Sequence, residues 1–249
     1  MADEQLRFAI SFVVGVVPAV LVMWVSLRRF DYPHAPKALF DDRRVFFAFA
    51  VGIGFGAFSS GLTVAIATSG LGIILPLVAV ALFEESFKLV YLTRKAYRGR
   101  FDTTFYGVSL GVGSAASLVM ASVFNANPTL LQSPQVAALV AALVLLSVSM
   151  TMVLASTGAL IGFGAAQSKV LGYYLRAFLV RFSHLAILLF FFLGDEQVLG
   201  FSSLGASLAF AGIVYAFVYR EVLPETLPKD IRRELRRWPG KADRPAKDS

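Results

Sequence analysis

The chain has 249 residues, of which 57% are hydrophobic and only 16% charged, with a mean hydropathy of +0.71. Soluble domains carry about 45–50% apolar and about 25% charged residues, so this is not an ordinary water-soluble protein, nor a disordered, fibrous or disulfide-built one. The absence of cysteine excludes disulfides, thiolate nucleophiles and cysteine metal sites, while the net charge of +7 points to nucleic acid or a membrane surface until its placement is examined.

A helix needs about 20 predominantly apolar residues to cross the hydrocarbon core. Taken in chain order, the stretches that meet this are 8–27, 45–67, 71–91, 105–124, 137–163, 177–193 and 198–219. The first is too long, and its flank too acidic at Asp3 and Glu4, for a cleaved signal, so it reads as an anchor. The second and third are separated only by Thr68-Ser69-Gly70. The expected fold is an all-α membrane bundle of about seven transmembrane helices, forming one domain over residues 1–219.

The charges test that reading. The segments after the first, third, fifth and seventh stretches hold five, four, two and nine Lys or Arg, whereas the N-terminal tail and the other loops hold only Arg7. Lys88 and Arg181 lie inside stretches. Basic loops face the cytoplasm, so the N-terminus is expected outside and the C-terminus inside, in a cytoplasmic membrane. Membrane lipids, not nucleic acid, are the expected partners. The outer loops leave no room for a folded ectodomain, and Asn127-Pro128-Thr129 is no glycosylation site because of its central proline.

Residues 220–249 form a basic tail containing a short amphipathic helix, 229–238. Ile231, Leu235 and Trp238 share one face of it, among Arg232, Arg233, Arg236 and Arg237. Such a helix either lies on anionic headgroups or forms a solvated tail, and the sequence favours neither.

Two glycine runs, Gly52-Ile53-Gly54-Phe55-Gly56-Ala57 and Gly111-Val112-Gly113-Ser114-Ala115-Ala116, fit a loose dinucleotide-binding fingerprint. Neither follows a strand, so both are rejected. Gly52/Gly56, Gly107/Gly111 and Gly158/Gly162 are instead spaced to let helix backbones approach closely.

Ionisable groups within a membrane are costly and are functional candidates by default. Here they are Glu84, Glu85, Lys88, Arg181 and His184. Glu84 precedes Arg94 by ten residues, about 15 Å of helix, and His184 follows Arg176 by eight, about 12 Å. Both are thus expected at one level in the cytoplasmic half. Lys88, four residues after Glu84, can pair with it, so that one glutamate is a paired structural group while the other faces a wet cavity beside His184. Arg181 is expected to snorkel to headgroups. Water activated by a carboxylate, with an imidazole polarising a carbonyl, is workable hydrolytic chemistry. No cofactor is called for, and a divalent metal is left open but not favoured, since one histidine and two divergent carboxylates are a poor ligand set.

Phe83-Glu84-Glu85-Ser86-Phe87-Lys88 resembles the Glu-Glu-x-x-Lys signature of the PrsW-type intramembrane proteases, relatives of the CAAX prenyl endopeptidases. Asp102, Tyr106, Gly107, Gly111 and Gly113 match the family's next run, and Thr157, Gly158–Gly164 and Ser183-His184-Leu185 resemble its later helices. The resemblance covers residues 71 to 193. It implies a peptidase acting on transmembrane or membrane-proximal peptides, with Glu84, Glu85 and His184 catalytic and Lys88 and Asp102 supporting.

The chain departs from the family at Leu118 and Val119 (usually Glu-Asn), at Val153 and Leu154 (a region with a histidine) and at Leu188 (usually Asn or Asp). These departures carry a second reading, a non-catalytic pseudoprotease acting as a membrane scaffold or partner-binding protein. A third, an ion or proton carrier, would use Glu84, Glu85 and His184 as a relay. No inverted repeat is apparent to support it.

Overall fold

The computed structural model describes residues 2–67, 74–125, 136–193 and 197–238, and every regular element among them is helical. The order is α1 (Ala2–Leu27), α2 (Asp42–Ala67), α3 (Ile74–Leu92), α4 (Thr103–Phe124), α5 (Val136–Ala166), α6 (Val170–Leu193) and α7 (Gln197–Phe217). From α7 the chain runs on through a π turn, Val218–Val222, and a short turn, Leu223–Glu225, to a C-terminal helix, Lys229–Arg237. Among the described residues six helices are long and apolar enough to cross a membrane: α1, α2, α4, α5, α6 and α7. α3 is not among them, because its 19 residues include Glu84, Glu85 and Lys88.

Helix bounds exceed the apolar stretches at several ends. α1 starts at Ala2 rather than residue 8, and α6 at Val170 rather than 177. Backbone hydrogen bonding does not stop where hydrophobicity does, so polar turns extend the helices. The Thr68-Ser69-Gly70 boundary and Asn127-Pro128-Thr129 lie outside the described residues.

α4 is the hub. All residues from Thr103 to Val119 are buried, and the helix packs against α5, α2 and α1. Its narrow cross-section makes this feasible. A Cβ on Gly107 would collide with the Gly158 carbonyl of α5, and a Cβ on Gly158 with the Gly107 carbonyl. The same holds between Gly52 of α2 and Leu110 of α4. The four-residue glycine spacings are therefore backbone contacts, and the two fingerprint-like runs lie within α2 and α4. Ser109 and Ser114 of α4 donate to the carbonyls of Phe105 and Leu110, at 3.1 and 2.9 Å, so their hydroxyls need no partner on another helix.

At one end of the bundle the segments following α1, α3, α5 and α7 are joined. The Asp41 amide donates to the Tyr106 hydroxyl (3.2 Å), and Gly99 donates to Ala165 O (3.2 Å). Thr226 donates to Phe101 O (2.9 Å), and Trp238 Nε1 donates to Pro33 O (3.2 Å). At the other end the Arg7 guanidinium of α1 donates to Phe124 O at the end of α4.

The amphipathic helix of the tail packs on the bundle. Ile231 and Leu235 pack on the main hydrophobic core, and Trp238 reaches the loop after α1. The apolar face is covered by the protein itself, leaving Arg233 and Arg237 exposed on the other side.

Candidate functional site

α3 packs against α6 and α5, which brings its three charged residues into the bundle interior. Glu84, Glu85, Lys88, Arg181 and His184 are all buried, none more than 1% exposed. At such depth each charge needs a partner, and each has one.

The partners differ from those the spacing suggests. Lys88 Nζ pairs with Glu85 Oε1 at 2.6 Å, not with Glu84, and also donates to Thr157 Oγ1 of α5 at 2.7 Å. Residues three and four apart both lie within reach on a helix. Thr157 and Arg181 decide between them: Thr157 draws the ammonium towards α5, and Arg181 occupies Glu84. Arg181 does not snorkel. Its Nε donates to Glu84 Oε2 at 2.6 Å, and its Nη1 lies 3.4 Å from Met150 Sδ. Ser59 of α2 donates to the other Glu84 oxygen at 3.3 Å. Two carboxylates thus face two cations in a charge-neutral quartet.

His184 lies at the same level, with Arg181 between it and Glu84. Its Nδ1 is 3.5 Å from Arg181 Nη1, and its Nε2 is 2.8 Å from Ser149 Oγ and 3.0 Å from Ser207 Oγ. Ser149 and Ser207 are themselves 2.6 Å apart. A guanidinium only donates, so the arrangement fits a neutral imidazole accepting at Nδ1 and donating from Nε2. The result is one polar path, Ser59–Glu84–Arg181–His184–Ser149/Ser207, linking α2, α3, α6, α5 and α7.

Both glutamates are buried where one was expected to face a wet cavity. Leu118 and Leu154 form a buried cluster with Ala115, and Val119, Val153 and Leu188 are also buried. The positions where the resembled family carries polar groups are apolar core here. One exception remains at the site: Glu85 Oε2 is buried without a hydrogen-bond partner. Ser147 Oγ and Thr151 Oγ1 of α5 are in the same condition.

Asp102 stands apart from the quartet. It sits at the start of α4, where both its oxygens accept from Arg100 (3.0 and 2.6 Å) and Oδ2 also accepts from the Tyr106 hydroxyl (2.9 Å). This ties the α3–α4 loop to α4 and, through Tyr106, to Asp41 before α2. Among the described residues no group of three or more His, Asp or Glu is placed to hold a metal ion.

Sequence reasoning missed Ser59, Ser149 and Ser207, took Thr157 only as part of a motif match, and misjudged Arg181. A signal was present in α5, where Ser147, Ser149, Thr151, Ser156 and Thr157 punctuate a highly apolar helix. No protein-family model, curated protein or solved structure matches the chain.

Proposed function

We infer that the chain is a multi-pass membrane protein of PrsW-like plan that acts as a non-catalytic scaffold or partner-binding protein. The observation that carries this reading is the state of the two glutamates: each is covered by a buried cation, and Leu118 and Leu154 pack where the family's further polar groups would stand. A carboxylate held by a cation is a poor base. The test is purified wild-type protein against a library of transmembrane peptides. No cleavage is expected under any condition, while Glu84→Gln and Glu85→Gln lower thermal stability.

A second reading, a divergent intramembrane peptidase, is favoured by one observation, the unpartnered Glu85 Oε2. A water bound there would pass a proton to Glu85 as its oxygen attacks the peptide carbonyl carbon. The C–N bond then breaks as that proton moves to the leaving amine. Cleavage by the wild type that disappears in a folded Glu85→Gln variant establishes this reading and ends the first.

In either case the chain crosses the membrane seven times, α3 included, with its N-terminus outside and its basic end in the cytoplasm. What supports the count is that the segments after α1, α3, α5 and α7 join at one end, as they would with α3 traversing the bundle. The orientation follows from the Lys and Arg gathered there. The cytoplasmic (plasma) membrane is the proposed location.

A further inference from the structure

At the basic end, four cationic or titratable side chains from separate segments line one cavity of about 200 Å³. Arg29 comes from the turn after α1, His34 from the following loop, Arg220 from the π turn after α7, and Arg232 from the C-terminal helix. Leu227 and Leu235 form part of its wall, and among the described residues no Asp or Glu lines it. Among the described residues none of these arginines is in an ion pair, although Arg44, Lys88, Arg100 and Arg181 all are. Arg232 Nη2 donates to the carbonyls of Glu225 and Leu227, at 2.9 and 3.2 Å, while its Nε is buried with no acceptor. Like charges converge, and a buried donor lacks its acceptor. An anion with several acceptor oxygens satisfies both conditions, and the planar guanidinium fork matches a phosphate.

The neighbouring surface indicates what carries the phosphate. A groove of about 410 Å³ runs between α1, α5 and α7, lined by Val17, Val25, Val148, Met152 and Tyr215 among other apolar residues. Its lining residues come close to those of the cavity along the chain. Val25 of the groove is four residues before Arg29, hence on the same helical face, and Tyr215 is five before Arg220 in the π turn. The Ser26–Tyr215 hydrogen bond, 2.8 Å, joins α1 to α7 at this junction and removes the one phenol from the groove's polar inventory. A basic cavity at the headgroup level and an apolar groove running from it into the membrane are the two halves of a phospholipid.

We propose that the cavity and groove form a binding site for an anionic phospholipid, its phosphate held by Arg29, Arg220 and Arg232 and an acyl chain lying along α1, α5 and α7. The site is remote from the glutamates and does not rest on either reading of their function. Bound lipid would fasten the C-terminal helix and the end of α7 to α1.

The experiment uses the full-length protein in detergent, with thermal stability and native mass spectrometry as readouts. Phosphatidylglycerol, phosphatidylcholine and inorganic phosphate are the probes. Phosphatidylglycerol is expected to be retained about tenfold more strongly than phosphatidylcholine, a preference lost in Arg29→Gln/Arg220→Gln. Arg94→Gln, an exposed basic residue at the same end, keeps it. Val148→Phe, which narrows the groove without touching a charge, weakens phosphatidylglycerol retention. Equal retention by the double variant and the wild type overturns the site. Equal protection by inorganic phosphate alone overturns the lipid as its occupant.

Discussion

Around α4 the helices meet through their backbones, whereas around α6 they meet through charges. In the first region Gly107 and Gly158 stand so close that a methyl group on either has nowhere to go. In the second, Arg181 of α6 reaches across to the Glu84 carboxylate of α3, and Lys88, paired with Glu85 on its own helix, reaches across to the Thr157 hydroxyl of α5. Backbone contact tolerates no added atom but asks nothing of electrostatics. Charge contact spans a gap, yet it fails if either member is deleted. The two regions therefore respond to opposite kinds of substitution, size in one and charge balance in the other.

The largest effect is expected from Gly107→Leu. The colliding atoms are backbone, which cannot swing aside, so the α4–α5 contact is lost and several kcal/mol with it, roughly 4 or more. Little monodisperse protein should survive size-exclusion chromatography. Gly54→Leu, at a helical glycine whose Cβ meets nothing within 4 Å, should elute as the wild type does. Similar behaviour of the two variants would break the backbone-contact account.

Next comes Arg181→Met, which leaves Glu84 as an uncompensated buried charge at a cost of about 3–5 kcal/mol. Glu84→Gln/Arg181→Met should recover most of that loss, because the quartet's charge balance is restored. A double-mutant cycle by chemical denaturation measures the coupling, and additive losses would mean that the pair contributes nothing as a pair. The matching cycle for Glu85 and Lys88 sharpens the point. Lys88→Met alone should resemble Arg181→Met, and Thr157→Val should cost far less.

Smaller again is Ser207→Ala. Ser149 remains within reach of His184 Nε2, so one of two hydroxyl partners is lost, at about 0.6–1 kcal/mol. The smallest effect is expected of Arg44→Gln. Its pairing with Asp41, 3.6 Å apart, is more than a third exposed on both sides and contributes about 0–1 kcal/mol. A large loss there would show that the basic end, rather than the buried quartet, dominates stability.

Much of this was legible in the order of residues. Long apolar runs require helices where lipid offers no hydrogen bonds, and the glycine spacing marked where backbones touch. The quartet's members were legible too, since few charges lie within those runs. Their pairing was not. Glu84 and Glu85 are both near enough to Lys88 along one helix, and the choice depends on Thr157 and Arg181, which are distant in sequence. Arg181 looked peripheral because its distance from the boundary of α6 says nothing of which neighbour it faces.

The sequence by itself determined that the chain is helical, that its apolar helices suit a membrane, and that its basic residues collect in alternate loops. These properties depend on local composition and on a solvent that penalises every unpaired backbone group. Only the tertiary structure decided that each acid is held by a buried cation, that Leu118 and Leu154 pack in the core, and that Arg29, Arg220 and Arg232 line one cavity. Such outcomes depend on which faces of distant helices meet, and on the requirement that every buried charge find its counterpart there.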